Sequence, residues 1–199
     1  MVFQNVPRVR RCAFWTVVFS FLAYGYRFFS AGFGGDAALV SLSGQAAYQA
    51  SLGRFLQPVY WLIRGSLVVP SVVGLFTTVF LFLTCWLIAN LFGLNQTRDI
   101  ALLSGLLVTH ETLVVSGATY LPWMDVYALS LFFAVLGAYL LMSGGRRAWL
   151  SPVFFFLSLG LYQSYLPCAA ALMILALARQ TLDGKRPGHV FARGCLACL

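Results

Sequence analysis

"LVVPSVVGLFTTVFLFLTCWLIANLF", residues 67–92, runs for 26 residues without a charged side chain. A hydrocarbon core about 30 Å thick is crossed by about 20 apolar residues in a helix, so this run spans a bilayer with length to spare. Pro70 near its start is tolerated, because the first turn of a helix has no use for that N–H. One such span makes the chain a membrane protein. The composition says that it has several: 61% of the 199 residues are hydrophobic and only 9% are charged. Soluble domains run near one quarter charged, so a water-facing surface cannot be built from this chain.

The net charge of +8 raises nucleic acid as a partner, and the distribution removes it. Many of the basic residues fall in short clusters between apolar runs: Arg8, Arg10 and Arg11; Arg146 and Arg147; Arg179, Lys185 and Arg186. Cytoplasmic loops carry positive charge in this way. The five cysteines lie in or beside apolar runs, where a thiol behaves as a small hydrophobe. Cys195 and Cys198 have CxxC spacing without a second pair or a placed histidine, which is no zinc site.

Working outward from the first quoted run, an earlier span is expected from about Cys12 to Phe29. It is preceded by the arginine cluster, which would hold the N-terminus in the cytoplasm, and it reads as retained rather than cleaved. The glycine-rich segment from Ser30 to Gly65 is too polar to span and is expected outside, with short helices along the membrane surface. A third span is expected from Ile100 to about Ser116 and a fourth from Val126 to Met142. Trp149 to Ala178 is expected to make two short passes with an apex at Gln163, Ser164 and Tyr165, with one long helix kinked at Pro167 as the alternative. The expectation is an all-α, polytopic helical bundle of about five or six spans. It forms a single domain over 1–199, read as the N-terminal part of a longer protein because the last residues approach a further span.

On that topology the costly polar residues collect on the outer side: Asp36, Arg54, Arg64, His110, Glu111, Asp125, Gln163 and Tyr165. Ionisable groups at such depth are functional candidates. Each also has a plainer reading. Asp36 could cap a surface helix or serve as a general base or cation ligand. Arg54 and Arg64 could anchor the interface or grip a phosphate with their planar forks of donors. His110 and Glu111 are neighbours, so they point about 100° apart and form no two-ligand metal motif. A pairing with Arg64 or a neighbouring span is as open as catalysis. Asp125 could answer a helix dipole, and Gln163 could be a packing residue. No phosphate-binding loop, dinucleotide fingerprint or serine elbow is present.

Four stretches, "YRFFSAGFGGDAAL", "GRFLQPVYWLIRG", "THETLVVSGATYLPWMDVYALSLFFAVLGAYLL" and "LSLGLYQSYLP", occur in this order. Together, from about Tyr24 to Pro167, they resemble the bacterial and phage glucosyl transferase type-two family, which decorates O-antigens and other surface glycans. The resemblance implies a GT-C-like, polyprenol-dependent glycosyltransferase of the bacterial inner membrane. Its donor would be a hexose, typically glucose, on a polyprenyl phosphate, and its acceptor a surface glycan on the extracytoplasmic face. It matches Asp36 to the essential acid of the first outer loop, Gly53 and Arg54 to the "GR" element, and Asp125 to the acid after the second loop. Tyr162, Gln163 and Ser164 match the "YQS" element. The class often has two neighbouring acids in the first loop. Here Asp36 stands alone, and a divalent metal stays unassigned.

The implied chemistry gives Asp36 the acceptor proton, Arg54 and Arg64 the phosphate, and Asp125, Gln163 and Tyr165 the sugar or acceptor. A lipid-linked sugar transporter would instead spread polar groups through the membrane depth and show repeat symmetry. A membrane assembly subunit would tolerate loss of Asp36 and Arg54.

Overall fold

The computed structural model describes residues 6–30, 42–65 and 69–184. Among these are nine α-helices: α1 Val6–Phe29, α2 Leu42–Ser51, α3 Leu56–Arg64, α4 Pro70–Leu91, α5 Thr97–Val108, α6 Glu111–Thr119, α7 Met124–Ser143, α8 Ser151–Leu161 and α9 Leu166–Leu182. No strand occurs among the described residues.

α7 is the central post. Fourteen of its 20 residues are buried, and α4, α8 and α9 pack around it. Its small residues Ala128, Ser130, Ala134, Gly137 and Ala138 let neighbours approach closely, as membrane helices require. Phe155 of α8 lies against Gly137, and Phe80 of α4 stacks on Phe132. Ser130 donates to the Ser158 carbonyl at 3.0 Å, and Ser158 donates back to the Ser130 carbonyl at 2.9 Å. These reciprocal bonds hold α7 to α8 where apolar association gives little driving force.

α1 packs outside α4 and α5. Gly74 leaves room for the Phe28 ring, where a Cβ would come within 2.4 Å of a ring carbon. The outward faces carry exposed apolar side chains: Phe14, Phe21 and Leu22 on α1, Leu102 and Leu106 on α5, Ile174 and Leu175 on α9. A soluble monomer does not expose apolar surface on this scale, and a lipid-facing bundle does. Among the described residues four helices are long and apolar enough to cross a membrane, and five if the bent pair α5 and α6 counts as one span. The chain is a multi-pass helical membrane protein.

The bundle has two chemically different ends. At one, Arg8 donates to Asn90 at 2.5 Å and also to Asn95, Arg11 donates to the Asn95 carbonyl, and Arg179 donates to the Phe92 carbonyl. Three arginines from α1 and α9 thus clasp the turn between α4 and α5, where cations suit the unsatisfied carbonyls of a helix C-terminus. At the other end α3 packs on α8, α2 on α3, and α6 on α1 and α7.

Several expected boundaries move. α1 begins at Val6, so Arg8, Arg10 and Arg11 lie in its first turns, with Pro7 at a position that needs no N–H. The third span is not one helix. It breaks at His110 and turns by 46°, because His110 takes an extended ψ of 134° and caps α6 by accepting from the Thr112 N–H at 3.3 Å. α7 begins at Met124, which puts Asp125 in a buried first turn rather than in a loop. The stretch after Trp149 does double back. Tyr162 is extended, with φ −161° and ψ 111°, and a 3-10 turn at Gln163–Tyr165 leads into α9. At 11 residues α8 is only about 16 Å long.

Candidate functional site

α3 is a helix with an inverted face. Gln57, Trp61 and the Arg64 side chain are buried, while Val59, Leu62 and Ile63 are exposed. Such a helix keeps its polar groups toward the protein and offers lipid its apolar side. Tyr60 and Arg64, four residues apart, share one side of it and meet Asp125 of α7.

The Arg64 side chain is 2% accessible and that of Asp125 0%. Arg64 Nη1 donates to both Asp125 oxygens, at 2.9 and 2.8 Å, and to the Pro122 carbonyl at 3.1 Å. Tyr60 Oη donates to Asp125 Oδ2 at 2.9 Å, and the Val126 N–H to Oδ1 at 3.0 Å. Burial pushes the Tyr60 phenol far above its usual range and the Asp125 carboxylate adds to the shift, so Tyr60 is the donor in that bond. Each carboxylate oxygen therefore has two donors. Arg64 Nε and Nη2 take no partner among the described residues.

Beside this pair, α2 and α6 stand apart and leave a cavity of about 880 Å³. Gln45, Tyr48 and Gln49 of α2 line one wall, and Glu111, Thr112 and Ser116 of α6 another. Tyr120 and Trp123 come from the turn before α7, Tyr127 from α7 and Tyr162 from the end of α8. Arg54 joins them from the turn between α2 and α3. Its guanidinium lies over the Tyr162 ring, 4.7 Å from the centroid, and Nη1 donates to Gln49 Oε1 at 3.1 Å. Its Nε is buried without a partner among the described residues. Tyr162 also packs on Tyr127, with centroids 4.4 Å apart.

Two quoted elements, "GR" and "YQS", meet here. Gly53 has φ +80°, and a Cβ on it would lie 2.7 Å from Gln163 Nε2. Glycine is required twice over, by the left-handed backbone and by the close approach. Gln163 Nε2 donates to the Leu52 carbonyl at 2.7 Å, which ties the tip of the α8–α9 turn to the end of α2. Arg54 and Tyr162, the next residues along, then face each other.

Of the expected site residues, Arg54 lines the cavity. Arg64 and Asp125 are bonded to each other, and neither lines it. Gln163 borders the site through its tie to Leu52. Tyr165 is buried below, with its hydroxyl unpartnered among the described residues. Asp36 lies outside the described residues. No three His, Cys, Asp or Glu side chains come together as a metal set among the described residues. Sequence reasoning missed Tyr60, whose spacing from Arg64 was the available signal, and Gln49, Tyr127 and Trp123, which carried none.

A family model described as Glucosyl transferase GtrII matches residues 36–199. No curated protein and no solved structure matches the chain.

Proposed function

The chain belongs to the glucosyl transferase GtrII family, and from that premise we propose that it moves a hexose, glucose in the first instance, from a polyprenyl-phosphate donor to a cell-surface glycan in the cavity beside Arg54. The observation that carries this reading is the state of Arg54. Its guanidinium is fixed by Tyr162 and Gln49, one nitrogen is left without a partner among the described residues, and it stands on an aromatic wall. A guanidinium is a planar fork matched to phosphate oxygens. Tyr127, Tyr162 and Trp123 supply flat faces with polar rims, a surface suited to a pyranose.

The acceptor hydroxyl oxygen attacks the anomeric carbon, and the bond from that carbon to the phosphate oxygen breaks. The electron pair leaves with the phosphate, where Arg54 stabilises the added charge. The hydroxyl proton passes to a carboxylate, a role we assign to Asp36. Arg64, Asp125 and Tyr60 hold α3 on α7 and so keep Arg54 in place. Gln163 and Tyr165 support the sugar side from behind Tyr162. The arginine-rich end of the bundle is assigned to the cytoplasm by the positive-inside rule, which turns the cavity to the extracytoplasmic face of the bacterial inner membrane. Charged side chains among the described residues keep to the two ends of the bundle, as an enzyme working at one face needs.

The test is transfer of labelled glucose from polyprenyl-phosphate glucose in membranes carrying the full-length protein. Arg54→Ala is expected to lower transfer by about 100-fold, in the range lost with one charge-stabilising group. Unchanged transfer in that variant sinks the assignment of the phosphate to Arg54.

A further inference from the structure

The geometry points to Glu111 as a second substrate-contacting carboxylate, one that accepts hydrogen bonds from the hydroxyls of the transferred sugar. The inference rests on the glycosyltransferase reading of the same cavity and adds a residue and a role to it.

A glutamate here is costly in an apolar segment, and the helix breaks where it occurs. α5 ends at Val108, His110 caps the new helix, and α6 starts on Glu111 after a 46° turn. The turn aims two faces of α6. Leu113 and Gly117 go inward, with Gly117 against the Tyr24 ring and the Met124 sulfur. Glu111, Thr112, Val115 and Ser116 face the cavity, at the spacing one helical face allows.

The walls are chemically unequal. Arg54, Gln45, Gln49 and Tyr48 offer N–H or O–H donors. Glu111 is the carboxylate on the cavity wall among the described residues. A carboxylate only accepts, and it has room for several hydroxyl donors. A sugar phosphate is anionic at one end and a set of hydroxyl donors at the other, so it needs both walls. Arg54 and Glu111 form no ion pair with each other. Arg54 stays on Tyr162 and Gln49, and Glu111 takes no hydrogen-bond partner among the described residues. Both charges line the same cavity of about 880 Å³.

The experiment uses the full-length protein in membrane vesicles and two probes. One is polyprenyl-phosphate glucose, read as kcat/KM for transfer. The other is the sugar-free polyprenyl phosphate, read as saturable binding. Glu111→Ala is expected to lower kcat/KM about 10- to 100-fold, the loss of one or two hydrogen bonds to a charged group, and to leave binding of the sugar-free lipid at the wild-type level. Glu111→Asp, which keeps the carboxylate, is expected to recover part of the transfer. Wild-type kcat/KM in Glu111→Ala overturns the inference. So does a parallel loss of transfer and sugar-free lipid binding, which marks a role in folding. If the wild-type protein neither binds the sugar-free lipid nor transfers the sugar, the reading of the cavity fails and this inference with it.

Discussion

Replacing Asp125 by leucine takes away the acceptor of four hydrogen bonds: two from Arg64 Nη1, one from Tyr60 Oη and one from the Val126 N–H. The Arg64 cation stays buried, because its side chain is 2% accessible, and among the described residues it keeps one hydrogen bond, to the Pro122 carbonyl at 3.1 Å, and the Tyr60 ring 5.9 Å away. Leaving one member of a buried pair uncompensated costs about 3–5 kcal/mol. For a domain of this size, where 1 kcal/mol moves the midpoint by about 2–4 °C, that predicts a loss of roughly 6–20 °C in Tm. Removing both charges at once, as Arg64→Met with Asp125→Leu, is expected to recover much of the loss, since an apolar pair of similar volume needs no desolvation. The coupling between the two sites should reach about 2–3 kcal/mol. Tryptophan fluorescence during heating in detergent reads this directly, because Trp61 and Trp123 pack together beside the pair with ring centroids 6.2 Å apart. An Asp125→Leu protein that melts with the wild type would refute the reasoning. So would a double variant whose losses simply add, because the two groups would then not be acting on each other.

Arg54→Lys keeps the charge but not the planar fork over Tyr162, so it should transfer sugar better than Arg54→Ala and worse than the wild type; equality with the wild type would reduce Arg54 to a point charge. Gly53→Ala should destabilise by about 1–2 kcal/mol from the left-handed backbone alone and push away Gln163. Adding Gln163→Ala should relieve the contact and not the backbone strain, and thermal melts of the two variants separate these parts. Tyr60 has a raised folded-state pKa, so its contribution to stability is whole below the unfolded value of about 10 and is lost as pH rises beyond it. Tyr60→Phe should remove that loss and leave a melt less sensitive to pH above about 10, checked by paired melts at neutral and alkaline pH.

The spans were legible because their signal is local. Residues 67–92 carry no charge, and no partner is needed to read them as a helix in lipid. The arginine clusters at Arg8 and Arg146 likewise told one end of the bundle from the other. Partner choice was not legible. Arg54 and Arg64 look alike in "GRFLQPVYWLIRG", yet one stands over Tyr162 at the cavity and the other is buried on Asp125. What separates them is helix phase. Arg64 shares a side of α3 with Tyr60, whereas Arg54 precedes the helix in a turn set by Gly53. The break at His110 was hidden for another reason. No proline or glycine stands there, and the histidine side chain itself supplies the cap that pays for the interruption.

α3 has nine residues, too few for stable isolated helix in water, and its outward side is apolar. It therefore depends on its two pins. At its start Gln57 donates to the Leu161 carbonyl at 2.7 Å, satisfying an orphan acceptor at the C-terminus of α8. At its end Arg64 is held by Asp125. α8 and α7 are joined in turn by Ser130 and Ser158, so both pins reach the same rigid pair of helices. Arg54 sits just before the first pin, and Tyr162, the ring beneath it, sits just after Leu161. The cation and its aromatic support are thus fixed from one helix pair by short paths. The α6 wall reaches that frame by another route, through the contacts of Gly117 with Tyr24 and Met124. Arg54 and Glu111 are therefore placed by separate sets of contacts, Arg54 by Tyr162 and Gln49 and the α6 wall by the packing of Gly117, and both face the same cavity.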